Sequence, residues 1–472
     1  MSQRILLTHS YFLRLDPKQW ATAKPYPPLG TLYAASVLRE SGHELFFHDV
    51  MFDENTNRIT SIIKHVSPSI FVIYDDGFNY LTKMCLTNMR EAALSMIRDA
   101  KAQGCTVIIS SSDSTDRYEE YLRKGADYVL LGEGEKTLEQ LVSALDNDQP
   151  TEHLTGIAFQ HEGTCMKNPR TPLISNLDDI AFPAWDLLDV EPYRDMWLRS
   201  AGYFSINMAT TRGCPFKCNW CAKPIYGNRY HSRTPQHVWK EINLLQELFG
   251  IDHIWFTDDI FGLKPGWIEE FASFINEDNR PVRFKIQSRA DLLTMPGVAA
   301  SLARAGCENV WMGAESGSQE ILDAMDKGIT VFQIKEATAL LRANHIQPCF
   351  FIQFGYPGEK MEDIRKTVRL ILDLLPDELG ISVSYPLPGT KFYEKVKHEL
   401  AAKSNWTDSD ELALMFTNTY SPGFYKRLHR YVHRLYRAKK AWRSGKLFSV
   451  PYYTTLAGFD KFILNRIAYA SG

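Results

Sequence analysis

The chain has 472 residues, of which 44% are hydrophobic and 23% are charged, and its formal net charge is −3. This length exceeds one ordinary hydrophobic core and predicts two or three domains. The near-neutral charge predicts no general affinity for nucleic acid, and no apolar run is long enough to span a bilayer.

Cysteine usage and the N-terminus indicate a reducing compartment. Five of the eight cysteines are scattered without the spacing of a disulfide framework: Cys85, Cys105, Cys165, Cys307 and Cys349. Such usage favours free, buried thiols. The apolar stretch that begins at Ile5 is too short for a signal peptide. We therefore expect a cytoplasmic protein.

The first 146 residues alternate short apolar runs with amphipathic segments. The candidate strands are Arg4–Thr8, His43–His48, Ser69–Tyr74, Thr106–Ser110 and Tyr128–Leu131. Between them, apolar residues recur at helical spacing and stop at Gly42 and Gly104. Strands that alternate with helices predict an α/β fold with a doubly wound, Rossmann-like parallel sheet. Ligands of such sheets bind outside the carboxyl ends of the strands.

Two segments fall at these predicted strand ends. The first, Pro25-Tyr-Pro-Pro-Leu-Gly30, is a rigid loop that runs into a helix. The second, Gly132-Glu-Gly-Glu135, supplies flexible backbone at the start of another helix. Residues 147–200 then form a linker that contains a turn, a short strand at Thr155–Gln160 and an acidic, aromatic strap at Asn176–Asp186, to which we assign no chemistry.

Three cysteines lie close together in the stretch Thr211–Cys221. They are Cys214, Cys218 and Cys221, with the spacing C-x3-C-x2-C. Neighbouring thiolates select zinc, copper(I) or an iron–sulfur cluster. A closed zinc site requires four ligands, and no further cysteine or paired histidine follows at zinc-finger spacing. Three ligands on a four-iron cluster would leave one iron open to a small molecule. A structural zinc knot and three unrelated core cysteines are the alternatives that the spacing leaves.

The cysteine stretch resembles the cluster motif of the radical S-adenosylmethionine enzymes, including the aromatic Trp220 before the third cysteine. The resemblance implies a 4Fe-4S cluster on the three cysteines. Its open iron would chelate S-adenosylmethionine, and its electron would cleave the carbon–sulfur bond of that molecule. A small-molecule substrate and an electron donor such as flavodoxin or ferredoxin are implied as well.

From Phe204 to about Leu400 the strand-then-helix rhythm resumes. The predicted strands are Phe204–Ala209, His253–Phe256, Arg283–Ser288, Asn309–Met312, Pro348–Phe354 and Gly380–Ser384. A helix is signalled by Thr234 as N-cap, Pro235 at its first position and Gly250 after its last. Six β/α units predict the partial TIM-type barrel of this family, with chemistry at the C-terminal ends of the strands.

Polar residues and glycines follow these strands in an order similar to that of the family. The resemblance implies that Asp259 meets the amino group of S-adenosylmethionine, and that Arg289 meets its carboxylate. Glu315 would accept hydrogen bonds from the ribose or the amine, Gly355 would approach the adenine, and Trp220 would adjoin the cluster. Each of these residues taken singly also fits a cap, a surface charge or a turn. No catalytic residue is assigned.

The N-terminal third resembles the cobalamin-binding domain of one branch of this family, which includes the anaerobic magnesium-protoporphyrin monomethyl ester cyclase and many methyltransferases. The residues that this implies for cobalamin are Pro28, Gly30, Gly132, Glu133 and Gly134. The D-x-H-x-x-G signature, which supplies a histidine to cobalt, is absent, as is usual in this branch. Ser110–Thr115 stands where relatives carry glycines and a histidine, and serine permits fewer backbone angles. A degenerate domain that only covers the active site is the alternative.

Residues 401–472 depart from the rhythm and predict a helical subdomain. Phe424, Leu428, Val432 and Leu435 share one helical face, and basic residues crowd the rest. Such a helix can lie on an anionic membrane, but we favour a helix that docks on the barrel with a solvated charged face. The aromatics that follow, Tyr452, Tyr453, Phe459 and Phe462, suggest a cap over the barrel mouth.

The sequence thus predicts a cobalamin-binding domain at 1–146, a linker at 147–200, a radical S-adenosylmethionine barrel at 201–400 and helices at 401–472. The expected reaction is methyl transfer to an unactivated carbon, with S-adenosylmethionine, the cluster and cobalamin as cofactors. An oxidative cyclase or rearrangement is one alternative. A non-catalytic metal-binding scaffold is the other.

Overall fold

The computed structural model describes residues 3–84, 86–277, 282–400, 405–412 and 414–471. Cys85, one of the scattered cysteines, lies outside them. The chain divides into two compact units. Unit 1 comprises Met1–Pro215, Lys223–Asp259 and Asn405–Glu411, and unit 2 comprises Phe216–Ala222, Ile260–Ser404 and Leu412–Gly472.

Unit 1 begins with a parallel sheet. Its strands are β1 (Arg4–Thr8), β2 (Glu44–Phe47), β3 (Ile70–Tyr74), β4 (Thr106–Ser110), β5 (Tyr128–Leu130), β6 (Ile157–His161) and β7 (Thr164–Lys167). Their order is β2-β1-β3-β4-β5-β6-β7. The first five are parallel, whereas β6 and β7 join as antiparallel strands. The order 2-1-3-4-5 confirms the doubly wound sheet, and the strand expected in the linker belongs to it as β6.

Unit 1 also contains helices, most of which connect these strands. They are α1 (Pro17–Thr22), α2 (Leu29–Glu40), α3 (Asn57–Val66), α4 (Tyr80–Met84), α5 (Thr87–Ala102), α6 (Ser112–Asp116), α7 (Tyr118–Arg123), α8 (Glu135–Asp146), α9 (Glu191–Ala201) and α10 (Pro235–Phe249), with 3-10 turns at Leu13–Leu15, Leu177–Asp179 and Trp185–Leu187. Every residue of β3 is buried, as expected for a parallel strand with helices on both faces. The core includes Leu7, Val72, Ile108, Leu138 and Leu141.

Four further strands of unit 1 surround the start of the cysteine stretch. They are β8 (Ser205–Met208), β9 (Thr211–Arg212), β10 (His231–Ser232) and β11 (His253–Phe256). The strands β8 and β11 pair in parallel, and β9 pairs with β10 in an antiparallel ribbon. The predicted caps of α10 are confirmed, because the Thr234 hydroxyl accepts from the His237 N–H and Gly250 has a φ of +55°.

Unit 2 contains four successive parallel strands. They are β12 (Arg283–Ser288), β13 (Cys307–Glu315), β14 (Gln347–Phe354) and β15 (Glu378–Val383). The helices are α11 (Trp267–Glu277), α12 (Ala290–Leu293), α13 (Val298–Arg304), α14 (Gln319–Ala324), α15 (Val331–Ala343), α16 (Met361–Leu374), α17 (Lys391–Val396), α18 (Pro422–Arg443) and α19 (Ser449–Ser471), with a 3-10 turn at Lys397–Glu399. Because the strands are parallel, their carboxyl ends lie at one edge.

The helices α18 and α19 form a C-terminal hairpin. Phe424, Leu428 and Val432 of α18 are buried, and Leu435, the fourth residue of the predicted apolar face, is half-buried. The Tyr436 hydroxyl donates to the carbonyls of Pro376 and Asp377, and this ties α18 to the start of β15. The aromatics of α19 were expected to pack over the barrel, but Tyr452, Phe459 and Phe462 are exposed. Among the described residues, no helix is long and apolar enough to cross a membrane.

Candidate functional site

Asp258, the second residue after β11, fixes the entrance to the cysteine stretch. Its carboxylate accepts hydrogen bonds from the backbone N–H groups of Thr210 and Thr211 at 2.7 and 2.8 Å, and from the Thr210 hydroxyl at 2.5 Å. Burial raises the pKa of Asp258 to about 6, although these hydrogen bonds oppose the shift. Asp258 therefore holds the backbone that leads from β8 towards Cys214.

Gly213 is required by the geometry of the same turn. Its φ is +80°, and a Cβ atom built on it would overlap the carbonyl oxygen of Arg229. Only glycine combines this backbone angle with such a close approach. Arg229, two residues before β10, therefore lies against Gly213, the residue that precedes Cys214. The side chain of Cys214 is buried.

Arg212 lies in a buried ion-pair network with the segment after β5. Its Nη1 is 2.5 Å from Glu133 Oε1, and its Nη2 is 2.8 Å from Glu135 Oε1. Glu133 also accepts from the backbone N–H of Ile174 at 2.7 Å. Burial raises the pKa of Glu133, Arg212 opposes that shift, and Glu135 adds to it. The carboxylate of Glu133, which was predicted to bind cobalamin, thus binds Arg212 and the Ile174 N–H of the protein itself.

Three aromatic rings enclose the guanidinium of Arg212. The rings of Tyr33, Phe78 and Tyr226 have their centroids 5.2 to 5.7 Å from its Cζ. Burial acts to lower the pKa of Arg212, but the acidic neighbours outweigh it and the pKa is raised. The sequence analysis overlooked this residue, which lies two positions before the first cysteine.

The predicted glycines Gly30 and Gly134 of the N-terminal sheet lie where neighbouring atoms approach closely. A Cβ on Gly30 would be 3.0 Å from the Cα of Asp76, and a Cβ on Gly134 would be 3.0 Å from the hydroxyls of Ser110 and Tyr74. Gly132 has a φ of +81°. These glycines line the carboxyl ends of β3, β4 and β5, and Pro28 is the N-cap of α2 on the same unit.

The serine segment after β4 is a capped helix rather than a glycine loop. The Ser111 hydroxyl accepts from the Ser114 N–H at 2.8 Å, and the Ser111 N–H donates to the Ser114 hydroxyl at 2.9 Å. Asp113 accepts two hydrogen bonds from the Arg90 guanidinium. The serines therefore have a local structural role at the start of α6.

Asp259, predicted to meet the amino group, is paired within unit 1. Its Oδ1 lies 2.7 Å from the Nζ of Lys83 on α4. Because the side chain of Lys83 is mostly buried and that of Asp259 is partly buried, the pair is shielded from water more than an ordinary surface ion pair.

In unit 2, Arg289 adjoins Cys218. Its Nε is 3.0 Å from Asp291 Oδ1, and its Nη2 donates to the carbonyl of Lys327 at 2.9 Å. Its Nη1 lies 3.8 Å from Cys218 Sγ, and its Cζ stands 3.8 Å above the ring of Phe216. An N–H at this distance can donate to a sulfur. Arg289 therefore organises the cysteine segment directly.

Glu315, the last residue of β13, forms a buried ion pair with Lys327. The Lys327 Nζ is 2.8 Å from Glu315 Oε1, and Glu315 adopts a left-handed φ of +55°. A Cβ on Gly313 would come within 2.5 Å of that Nζ. Burial acts to lower the pKa of Lys327, but Glu315 and Cys218 outweigh it and raise the pKa. Lys327 was overlooked because Asp326-Lys-Gly328 resembles an ordinary turn.

Asn219 anchors the cysteine segment inside unit 2. Its N–H donates to the carbonyl of Met325 at 3.0 Å, and its carbonyl accepts from the Phe392 N–H at 3.0 Å. Its Oδ1 accepts from the Tyr356 hydroxyl at 2.9 Å. Trp220 follows, and its indole Nε1 is buried without a hydrogen-bond acceptor among the described residues. A buried, unsatisfied donor favours a polar ligand at this position.

Gly355 follows β14 with a φ of +77°. Its N–H donates to Glu359 Oε2 at 2.6 Å, and its carbonyl accepts from the Asn418 side chain at 2.6 Å. Burial raises the pKa of Glu359 to about 8. Four buried polar atoms of this region lack partners among the described residues: Gln353 Oε1, Glu359 Oε1, Ser384 Oγ and Tyr425 OH. Each of these atoms would gain a partner from a water molecule or from a polar ligand group that reaches it.

Within the described residues, no three His, Cys, Asp or Glu side chains are arranged to hold a single metal ion. The three cysteines of the motif form no disulfide bond among the described residues. Iron–sulfur clusters are held by cysteine thiolates. The donor set fits such a cluster in its chemistry.

Comparison with known proteins gives consistent matches. Residues 208–371 match the radical SAM superfamily. The chain is 30% identical over 389 residues to an uncharacterized methyltransferase of Pyrococcus horikoshii, covering 80% of this chain and 81% of the relative. It is 23% identical over 402 residues to the anaerobic magnesium-protoporphyrin IX monomethyl ester cyclase of a Synechocystis species, covering 84% and 78%.

A solved structure shows the fold. The cobalamin-dependent S-adenosylmethionine radical enzyme OxsB, with aqua-cobalamin bound, matches with a TM-score of 0.76 and 16% identity, covering 98% of this chain and 72% of that chain. The likeness confirms the predicted fold class: a doubly wound N-terminal domain, a partial parallel β/α barrel and a helical C-terminal region.

Proposed function

The chain belongs to the radical SAM superfamily and is an enzyme, and we propose that it is a cobalamin-dependent methyltransferase acting on an unactivated carbon of a small molecule. One observation carries the proposal. A single chain combines a three-cysteine stretch at a parallel β/α barrel with a doubly wound sheet whose ligand edge is lined by glycines. The relative from Pyrococcus horikoshii carries the name of a methyltransferase, which supports the proposed reaction.

We propose that Cys214, Cys218 and Cys221 hold a 4Fe-4S cluster. When bound, the cluster supplies the electron that cleaves S-adenosylmethionine. The protein contributes a fixed scaffold for the thiols: Asp258 positions the backbone before the first cysteine, and Arg289 contacts the second. These residues orient the ligands and keep polar backbone groups satisfied without donating electrons themselves.

For S-adenosylmethionine, the proposed residues are Trp220, Asp259, Arg289, Glu315 and Gly355. The contacts described above divide their roles. Arg289 pairs with Asp291, and Glu315 pairs with Lys327, so these two residues position the loops of the site. Trp220 Nε1, Gln353 Oε1 and Ser384 Oγ, which lack partners among the described residues, are the better candidates for direct hydrogen bonds to the ligand.

For cobalamin, the proposed residues are Pro28, Gly30, Gly132, Glu133 and Gly134. The glycines fit, because they lie at the carboxyl ends of the parallel strands, where ligands of such sheets bind, and side chains at Gly30 and Gly134 would crowd neighbouring atoms there. Glu133 contributes through its ion pair with Arg212. Cobalamin would carry the methyl group to the substrate carbon.

The test is anaerobic reconstitution with iron, sulfide and hydroxocobalamin, followed by ultraviolet–visible spectra and product analysis. We expect the signatures of both cofactors in the wild type. Cys218→Ala should abolish formation of 5′-deoxyadenosine, whereas the matched variant Cys165→Ala, at a free cysteine of β7, should leave it unchanged. Undiminished formation in Cys218→Ala would reject the cluster assignment.

An oxidative cyclase is the second candidate, favoured by the relative of that name in Synechocystis. A methyl donor labelled in its methyl group separates the two reactions. Label in the product supports methyl transfer, and an oxidised product without label supports cyclisation. Because the chain belongs to this superfamily of enzymes, we no longer propose the non-catalytic metal-binding scaffold. We also propose an external flavodoxin or ferredoxin as electron donor and a reducing, cytoplasmic location, in keeping with Cys105, Cys307 and Cys349, which are buried and form no disulfide bond.

A further inference from the structure

An exposed row of aromatic side chains runs along the last helix. Phe448, Tyr452, Phe459 and Phe462 are 102%, 64%, 59% and 55% exposed. Phe448 directly precedes α19, and the spacings of four, seven and three residues place the four on one helical face. Trp442 in the last turn of α18 and Leu447 between the two helices are exposed as well. We refer to these six residues as the aromatic ridge.

The opposite face of α19 is packed against α18, so the ridge is held outward. Ala457, Asp460 and Leu464 are buried on that face. The Asp460 carboxylate lies 2.9 Å from Arg427 and 2.5 Å from Arg434, both on α18. Because a buried carboxylate with two cationic partners resists rearrangement, the ridge cannot easily turn inward. Exposed apolar surface of this extent marks an interaction site in soluble proteins.

The surroundings of the ridge are strongly basic. Residues 422–472 contain eleven lysines and arginines and one acidic residue, the buried Asp460, although the whole chain carries a net charge of −3. Lys439, Arg443, Lys446 and Lys461 are exposed beside the ridge, and the guanidinium of Arg466 stacks on Phe462 with its Cζ 4.4 Å from the ring centroid. A complementary partner must therefore be anionic and must accept apolar side chains.

We propose that the aromatic ridge docks on the surface of an anionic lipid bilayer. Aromatic and leucine side chains enter the headgroup boundary while flanking lysines and arginines pair with lipid phosphates. A second copy of this chain fits less well, because a two-fold interface would oppose two basic surfaces. A nucleic acid would match the charge but would not bury a continuous apolar row. The absence of a spanning helix among the described residues is consistent with a peripheral contact.

Vesicle sedimentation of the full, anaerobically reconstituted chain tests this proposal. The probes are phosphatidylcholine vesicles with and without phosphatidylglycerol, at low and high salt. We expect binding only when phosphatidylglycerol is present, with weakening at high salt. The double variant Phe448→Ser/Phe459→Ser should reduce the partition coefficient on the order of 100-fold, since two phenyl groups no longer enter the lipid.

Matched variants separate the ridge from general surface effects. Phe332→Ser removes an aromatic on α15 that is 70% exposed, and it should leave the partition coefficient unchanged. Arg443→Glu/Lys446→Glu should abolish the preference for anionic vesicles, whereas Lys335→Glu on α15 should not. In these three variants and in Phe448→Ser/Phe459→Ser, the circular dichroism spectrum and the formation of 5′-deoxyadenosine without vesicles should match those of the wild type. None of the substituted residues belongs to the proposed cofactor sites.

Three results would overturn the proposal. The first is no binding to phosphatidylglycerol vesicles, and the second is binding that Phe448→Ser/Phe459→Ser does not weaken. The third is a different occupant: a dimer in light scattering that this variant dissociates, or a single-stranded oligonucleotide that the wild type binds in preference to vesicles.

Discussion

Replacing Arg212 by methionine tests whether the buried network before the cysteine stretch supports the fold of unit 1. The change keeps an unbranched, largely aliphatic stem but removes the guanidinium group and its charge. Glu133 and Glu135 would then be buried without their cation. We expect Arg212→Met to be strongly destabilising, and to be more so at high pH than at low pH.

The expected loss of stability follows from the burial of the three charged side chains. The side chains of Arg212, Glu133 and Glu135 are 5%, 4% and 3% exposed, so solvent screening is weak. Removing one partner of a buried ion pair costs roughly 3–5 kcal/mol, and loss of the cation–π contacts adds about 1 kcal/mol. For a unit of this size, such a loss corresponds to a decrease in Tm of about 10 °C.

The pH dependence has a definite sign. Burial already raises the pKa of Glu133, and Arg212 restrains the shift. Without Arg212 that pKa rises further above the value in the unfolded chain. A raised folded-state pKa means that stability is retained at low pH and lost as the pH rises through it. The deficit of Arg212→Met relative to wild type should therefore shrink as the pH falls from 8 to 5.

Thermal and urea unfolding of the cofactor-free protein, monitored anaerobically by circular dichroism, measures these differences. The matched control is Arg39→Met, which breaks an exposed pair with Asp186 of similar length, 2.7 Å, and should cost less than about 1 kcal/mol. The triple variant Arg212→Met/Glu133→Gln/Glu135→Gln should recover part of the loss. If Arg212→Met proves as mild as Arg39→Met, or its deficit does not depend on pH, the reasoning is refuted.

Two further predictions concern the cysteine stretch and the barrel. Gly213→Ala should prevent cluster reconstitution, measured as iron and sulfide per chain, because its Cβ would overlap the Arg229 carbonyl. The control is Gly227→Ala, where φ is +66° and a Cβ would meet no atom within 4 Å. It should lower the stability by only about 1 kcal/mol and retain the iron. Equal iron contents in the two variants would contradict this. Glu359→Gln should unfold at a higher temperature than wild type at pH 9 but not at pH 5. The reason is that the wild-type carboxyl has a folded pKa of about 8, so its ionisation in the buried site costs on the order of 4–5 kcal/mol of stability. Parallel pH profiles of the two proteins would show that this carboxyl does not titrate as inferred.

The strands were predictable because a buried parallel strand is a short apolar run between turn signals. The predicted Arg4–Thr8, Thr106–Ser110 and Arg283–Ser288 coincide with the observed strands. The prediction failed at the end of β13, where Gly313-Ala-Glu315 resembles a loop. A register shift between Gly313 and Glu315 carries the strand onward to Glu315.

The partners of the charged and polar side chains could not be predicted, because they are set by contacts between residues that are distant in the sequence. Glu133 and Arg212 are 79 residues apart, and Asn219 and Tyr356 are 137 apart. The sequence analysis identified Glu133, Arg289 and Glu315 as polar residues at strand ends, but it could not show that each is already bound to another side chain. Lys327 and Arg212 lacked any local pattern and were missed.

The ion pairs of Arg212 limit where this chain can be divided. A cut in the linker would separate Arg212 from Glu133 and Glu135, leaving an orphaned cation on one fragment and two orphaned anions on the other. Both fragments would present a new charged and aromatic surface, and each would tend to aggregate or to reassociate with its complement. Production of the barrel by itself would accordingly call for a neutral residue at position 212 and a polar replacement for Tyr226, which is the one of the three rings that remains on that fragment.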